Sequence, residues 1–266
     1  MIIYKILLNK GEIKMQNNLT EKDIKILNKW AEKYNIEELK IKDKDKIFKL
    51  NNFTIFNCKM KNIPAAIFKL TNIKSLSIYC NNIKRLPKEI GNLIKLKELE
   101  IVNRCLMELP KEMGNLSNLK KFSICSENLK QLPKEIYNLI KLKELYIYCD
   151  DLESLPNEIE KLTNLKELEI KCENLKRLPK EICNLSKLEY IHIECENLKQ
   201  LPKEIYNLIN LKRLYIDCPN LKNFPDGIEK LINLKSINIT GKLNLKYLME
   251  GIVKLNNLKW LYINTE

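Results

Sequence analysis

Apolar residues along this chain fall into one spacing that returns every 23 residues. One unit reads LPKEIYNLIKLKELYIYCDDLES, from Leu132 to Ser154, and the next reads LPNEIEKLTNLKELEIKCENLKR, from Leu155 to Arg177. The shared template is LPxxIxxLxxLxxLxIxxxxLxx. After Leu168 the apolar positions alternate with polar ones through Ile170, which predicts a short strand of about three residues with one buried face. Leu175 and Leu178 then turn back inward. Pro179 holds φ near the value that begins the return path. Ile182 and Leu185 have helical spacing, which predicts a short helical or 3₁₀ turn on the outer side.

The prolines carry the same period. Pro64, Pro87, Pro110, Pro133, Pro156, Pro179, Pro202 and Pro225 are each 23 residues apart, and Pro219 alone stands outside the series. One unit cannot bury its own apolar edge, so the units must stack. Stacking places equivalent strands side by side in a parallel sheet, about 4.8 Å apart. The expected strand centres are Thr54, Ser77, Glu100, Ser123, Tyr146, Glu169, His192, Tyr215, Asn238 and Tyr262. These are about ten strands, in a sheet roughly 45 Å long.

The repeated Leu-x-x-Leu-x-Ile stretch resembles the leucine-rich repeat family, and the Leu-Pro and Ile positions resemble its 23-residue class. The resemblance covers residues 47–266. It implies an α/β horseshoe solenoid with parallel strands on the concave face and helical or 3₁₀ turns on the convex side. It also implies a non-enzymatic role in protein–protein contacts. The family commonly places Asn at a conserved turn position. Here that position holds Asn81, Arg104, Glu127, Asp150, Glu173, Glu196 and Pro219, so an internal asparagine ladder is not expected. The neighbouring position holds Cys80, Asn103, Ser126, Cys149, Cys172, Cys195 and Cys218, and these small residues take part of that role.

The ends depart from the template. Ile47 to Ile55 keeps the spacing without a preceding proline, and Leu248-Met249 replaces Leu-Pro in a last unit one residue longer. Degenerate terminal units are expected, because they close an open hydrophobic end. Upstream, Thr20 and Asp23 form a capping-box-like pair. Ile24, Leu27, Trp30, Ala31 and Tyr34 follow with helical spacing. Residues 20–35 are read as a helix within an N-terminal cap spanning 15–46; the alternative is an amphipathic helix that binds a partner. Residues 1–14 are read as an over-annotated or disordered extension, with Met15 as the start. Gly11-Glu12-Ile13-Lys14 can be encoded by a sequence resembling a ribosome-binding site.

Composition narrows the function. The 266 residues carry a formal charge of +13, with only six glycines, so no Gly-rich phosphate loop is present. A basic chain can bind nucleic acid or an anionic surface. Joint over-use of Lys, Asn and Ile, as in an A/T-rich genome, also accounts for the charge. Nine cysteines without a CxxC pair, and no secretory signal, point to reduced thiols and a cytoplasmic location. Thiolates in a line cannot surround a tetrahedral zinc, so no metal or other cofactor is expected. His192 lies three residues from Cys195. The strand alternation sends these two side chains to different sides, so no catalytic dyad is expected.

The outward strand positions change the charge picture. From Ser75 to Thr240 they hold Lys121, Lys171 and Arg213 against Glu98, Glu100, Glu144, Glu167, Glu169, Glu194 and Asp217, a balance of −4. Tyr146, Tyr148, Tyr190 and Tyr215 are expected to be exposed around His192, and aromatic and Arg side chains favour interface cores. The simpler alternative is that Tyr suits strands. The candidate partner-binding residues are therefore Glu144, Tyr146, Tyr148, Glu167, Glu169, Lys171, Tyr190, His192, Glu194, Arg213, Tyr215 and Asp217. They predict a scaffold, acting as a monomer, for a basic protein or peptide. Lys74, Lys97, Lys120, Lys143, Lys166, Lys212, Lys235 and Lys259 occupy one rim, interrupted by Glu189. That rim supports the alternative of nucleic-acid or anionic-surface binding, although no aromatics are interleaved for base stacking.

Overall fold

The computed structural model describes residues 19–36, 39, 50–57, 59–242 and 245–265. The start at Met1 or Met15, most of 37–49 including Ile47, and Cys58 lie outside the described residues. The order of elements is α1 (Glu21–Tyr34), β1 (Asn52–Phe56), β2 (Ser75–Tyr79), β3 (Glu98–Val102), β4 (Lys121–Cys125) and β5 (Glu144–Tyr148). There follow β6 (Glu167–Lys171), β7 (Tyr190–Glu194), β8 (Arg213–Asp217), β9 (Ser236–Thr240), α2 (Leu245–Ile252) and β10 (Trp260–Asn264). The ten strands form one parallel sheet in chain order. Each expected strand centre is the middle residue of its strand.

The strands are five residues long rather than three. The residue before each strand extends the ladder: Lys97 N–H donates to Lys74 O at 2.7 Å and Lys143 N–H to Lys120 O at 2.7 Å. The residue after it does the same, with Cys149 N–H donating to Lys171 O at 3.0 Å. Register follows the period without slip, so Tyr146 faces Glu169, then His192, then Tyr215. A one-residue slip would turn every buried Leu and Ile to water.

Between strands the chain returns through short 3₁₀ turns. Pro87 sits in an extended conformation (φ −61°, ψ 138°) ahead of the turn Lys88–Asn92, and its carbonyl accepts from Ile90 N–H at 3.1 Å. The same arrangement follows Pro110, Pro133, Pro179 and Pro202. Successive turns pack closely: a Cβ on Gly91 would overlap the carbonyl of Glu112. At Pro225 the pattern shifts. Gly227 adopts φ 111°, a left-handed conformation costly for other residues, and the turn shortens to Ile228–Lys230. In the last unit α2 replaces the loop and 3₁₀ turn.

The core is one continuous column of Leu and Ile, in which Leu145, Leu168, Ile191 and Leu214 are fully buried. The small-residue ladder runs inside it. The thiols of Cys149, Cys172, Cys195 and Cys218 point at the carbonyls of Ile124, Ile147, Ile170 and Ile193, at 3.7–4.0 Å. Asn103 Nδ2 donates to Ile83 O at 2.7 Å, and Ser126 Oγ to Leu106 O at 2.9 Å. The buried position thus satisfies backbone carbonyls, as a buried polar position must. Asparagine ladders do exist, but in exposed turns that the template left blank. Asn118, Asn164, Asn210 and Asn233 each donate to the preceding unit's backbone at 2.8 Å.

The N-terminal cap is helical, as expected. Thr20 Oγ1 accepts from Asp23 N–H at 3.2 Å, and Thr20 N–H donates to Asp23 Oδ2 at 2.8 Å, which completes the capping box. Leu27, Trp30 and Ala31 are buried against the first unit. Trp30 Nε1 donates to Asn62 O at 3.4 Å, and Lys69 pairs with Asp23 at 2.7 Å.

Candidate binding surface on the concave sheet

Each strand turns two side chains into the core and three to the concave face, so the twelve candidate residues of β5–β8 lie in a grid three positions wide. The structure brings them together on one face, most of them tied to a neighbour by a hydrogen bond or ion pair. Tyr146 Oη donates to Glu144 at 3.1 Å and to Glu167 at 2.9 Å, and Tyr148 Oη donates to Glu169 at 2.7 Å. Burial and these carboxylates push both phenols up from their usual range.

The three cations of the strip are each held within it. Lys121 pairs with Glu144 at 3.0 Å and lies 5.0 Å from the Tyr146 ring centre. Lys171 pairs with Glu194 at 2.9 Å and lies 5.8 Å from the Tyr148 ring. Arg213 reaches Glu167 at 3.2 Å and stacks 4.0 Å above the Tyr190 ring. The excess of acid therefore rests on Glu98, Glu100, Glu169 and Asp217.

Tyr190 corrects the expectation of exposure. It is 8% exposed, because the Arg213 guanidinium covers its face and Tyr215 packs edge-on at 5.6 Å. Tyr146, Tyr148, Tyr215 and His192 are half-buried, with outer surfaces open to the concave side. His192 stands between Glu169 at 4.0 Å and Glu194 at 3.8 Å, edge-on to Tyr215 at 6.0 Å. Burial holds its imidazole below the usual value and Lys171 adds to this, while Glu169, Glu194 and Asp217 pull the other way.

Cys195 is buried, with its thiol against Ile170 O, so it does not meet His192 on the concave face. Burial pushes the thiols of Cys149, Cys172 and Cys195 up to about 12. Such groups are protonated and poorly nucleophilic at neutral pH. No disulfide links the eight described cysteines, and no metal-holding cluster of His, Cys, Asp or Glu occurs among the described residues.

The lysine row is exposed along the strand starts. Glu189 does more than interrupt it. Its carboxylate takes Lys212 at 2.5 Å and Lys166 at 3.0 Å, and these bonds hold it below the usual carboxylate range. Two further features of the concave face lie largely outside the candidate set. A shallow hollow at the β2–β5 end is lined by Ser75, Ser77, Glu98, Glu100, Ser123 and Tyr146. The serines there signal it, since short side chains leave room on a sheet. At the other end, Trp260 and Tyr262 stack at 6.2 Å and an interplanar angle of 15°.

Among the described residues, no helix is long and apolar enough to cross a membrane. The family described as "leucine-rich repeat region" matches residues 22–154, 88–176 and 157–266. No curated protein matches the sequence. Among solved structures, a leucine-rich repeat protein of Leptospira interrogans is 32% identical over 84% of this chain, with a TM-score of 0.74. This chain spans 57% of that protein's length. The leucine-rich repeat domain of the type III effector XopL is 22% identical, with coverage of 94% of this chain and 98% of that domain and a TM-score of 0.72. A chain of the Toll–Spatzle complex of Drosophila is 17% identical, with coverage of 80% and 29% and a TM-score of 0.65. These last two likenesses concern the fold alone. The 23-residue register, the ten-stranded open sheet and the match across residues 22–266 agree: this chain belongs to the leucine-rich repeat family.

Proposed function

We propose that this protein is a non-enzymatic scaffold whose concave sheet binds a basic protein or peptide. The observation that carries this reading is the separation of charge. The chain is +13 overall, yet its concave strip is −4 and rich in half-buried tyrosine. Tyr146, Tyr148, His192 and Tyr215 offer large, rigid contact surfaces at the centre, the usual chemistry of interface anchors. Tyr190 acts beneath them by holding Arg213 in place. Glu169 and Asp217, the candidate acids not matched by a Lys or Arg, set the sign of the partner, while Glu144, Glu167 and Glu194 hold Lys121, Arg213 and Lys171 in place through ion pairs. The fold is shared with a chain from a two-protein complex, which is consistent with this role.

The test compares capture by the intact chain with capture by a Tyr146→Ala, Tyr190→Ala, Tyr215→Ala variant and a Glu167→Lys, Glu169→Lys variant. Lysate of the native organism is the source, and bound proteins are read by mass spectrometry. Loss of the same basic protein from both variants is expected. Unchanged capture by both would remove the concave site. A second reading, binding of nucleic acid or an anionic surface, draws on the exposed lysines Lys74, Lys97, Lys120 and Lys143. It requires retention on heparin that falls steeply with salt. Flow-through at moderate salt would dispose of it.

A further inference from the structure

The concave face repeats one local arrangement three times. Lys121 over Tyr146, Lys171 over Tyr148 and Arg213 over Tyr190 each set a cation on a ring of the neighbouring strand. Each cation is also anchored to a carboxylate, Glu144, Glu194 and Glu167 respectively. The β8–β10 end has the rings without the cation. Tyr215 meets Trp260 at 6.1 Å and 60°, and Trp260 stacks on Tyr262. Among the described residues, no Lys or Arg stands over any of these three rings.

The floor beneath them is also incomplete. Register places Asn238 between Tyr215 and Tyr262, and Ser236 between Arg213 and Trp260. Asn238 Oδ1 is buried and has no hydrogen-bond donor. A buried acceptor without a donor is costly and rare in native proteins, so it calls for a partner. Asp217, in the next row of β8, belongs to no ion pair among the described residues. Trp260 and Tyr262 are 47% and 48% exposed, so their rings have room to turn aside and admit a side chain.

We infer that Tyr215, Asn238, Trp260 and Tyr262 form a receptor slot for an arginine side chain displayed by the partner. A guanidinium is planar, so it stacks on aromatic faces as Arg213 does on Tyr190, and its five N–H groups can reach Asn238 Oδ1. Asp217 supplies the opposite charge. A lysine ammonium matches the rings but lacks the flat fork. This inference rests on the concave sheet being the protein-binding face, and it extends the central cluster from Tyr215 toward β10.

The probe is N-acetylarginine amide, titrated into the full chain while tryptophan emission is followed. The chain has two tryptophans; Trp30 is buried in the cap, so Trp260 carries the response. A saturable change is expected for arginine, with N-acetylcitrulline amide, the neutral analogue, weaker by about tenfold. Asn238→Leu should weaken arginine binding by about tenfold, and Tyr262→Ala, at an exposed position, by several-fold. Equal response to citrulline, absence of a saturable change, or unchanged affinity in both variants would overturn the slot. So would tighter binding of a short oligothymidylate, which would make the rings a base-stacking platform. The slot can fail in this way while the central tyrosine and glutamate variants still lose the partner. Failure of the wider reading shows instead in capture that ignores those variants.

Discussion

At one end of the solenoid, α1 lays Leu27, Trp30 and Ala31 over the first unit; at the other, β10 leaves Trp260, Leu261 and Tyr262 exposed by 47%, 41% and 48%. Both ends face the same problem. A stacked unit buries one apolar edge against its neighbour and presents the other to the next position in the stack. The N-terminal end answers with a helix tied down by the capping box, the Asp23–Lys69 pair and the Trp30 hydrogen bond. At β10 the inward-facing Leu261 is 41% exposed, where its equivalents Leu168 and Leu214 are fully buried. Identical positions in the template therefore differ in energy according to what covers them.

The largest effect should come from the closed end. Trp30→Ala opens a cavity between α1 and the first unit and should cost about 3–5 kcal/mol. Trp260→Ala, at the exposed β10, should change stability by under about 1 kcal/mol. Urea unfolding of the two variants checks the contrast, and equal losses would break it.

Leu168→Ala and Leu261→Ala probe one template position at two depths. The first should cost about 2–5 kcal/mol. The second should cost about 1 kcal/mol or less, because much of its surface already meets water. Thermal melts at one pH measure both, and a large loss from Leu261→Ala would mean that the β10 edge is covered in solution.

An effect smaller than either buried truncation concerns the cap itself. Thr20→Ala should cost about 1 kcal/mol. Burial works against the charge on Asp23, but hydrogen bonds from Lys69 and Thr20 outweigh it and hold the carboxyl below its usual range. A carboxyl lowered in the folded state adds stability above its unfolded value of about 4. That stability is lost as pH falls through the lower folded value. Stability measured from pH 6 downward should therefore fall less steeply in Asp23→Asn than in the parent chain. Parallel curves would show that the carboxylate is not held.

Much of this was legible in sequence because one period repeats. The eight prolines in register marked eight strand centres, the Leu and Ile spacing supplied the first and last, and Thr20-x-x-Asp23 gave the cap. What escaped were features that depend on a neighbour in the stack. Tyr190 is written like any other outward tyrosine; the guanidinium of Arg213, one unit later, buries it. The −4 of the strip was countable, but the pairing of Lys121, Lys171 and Arg213 inside it was not. The exposed asparagine ladders kept the period in a turn position shared with Lys95, Lys141 and Lys187, and so read as simple polarity.

By itself the sequence determined which side of each strand faces inward, since a period of two on a period of 23 leaves one arrangement that buries Leu and Ile. It also determined that the concave strip opposes the charge of the whole chain. Only the tertiary structure decided which outward groups satisfy one another, because hydrogen bonds and ring contacts depend on ångström distances between units. Asn238 Oδ1 without a donor, beneath Trp260 and Tyr262, is such a fact, and it belongs to the stack rather than to any one repeat.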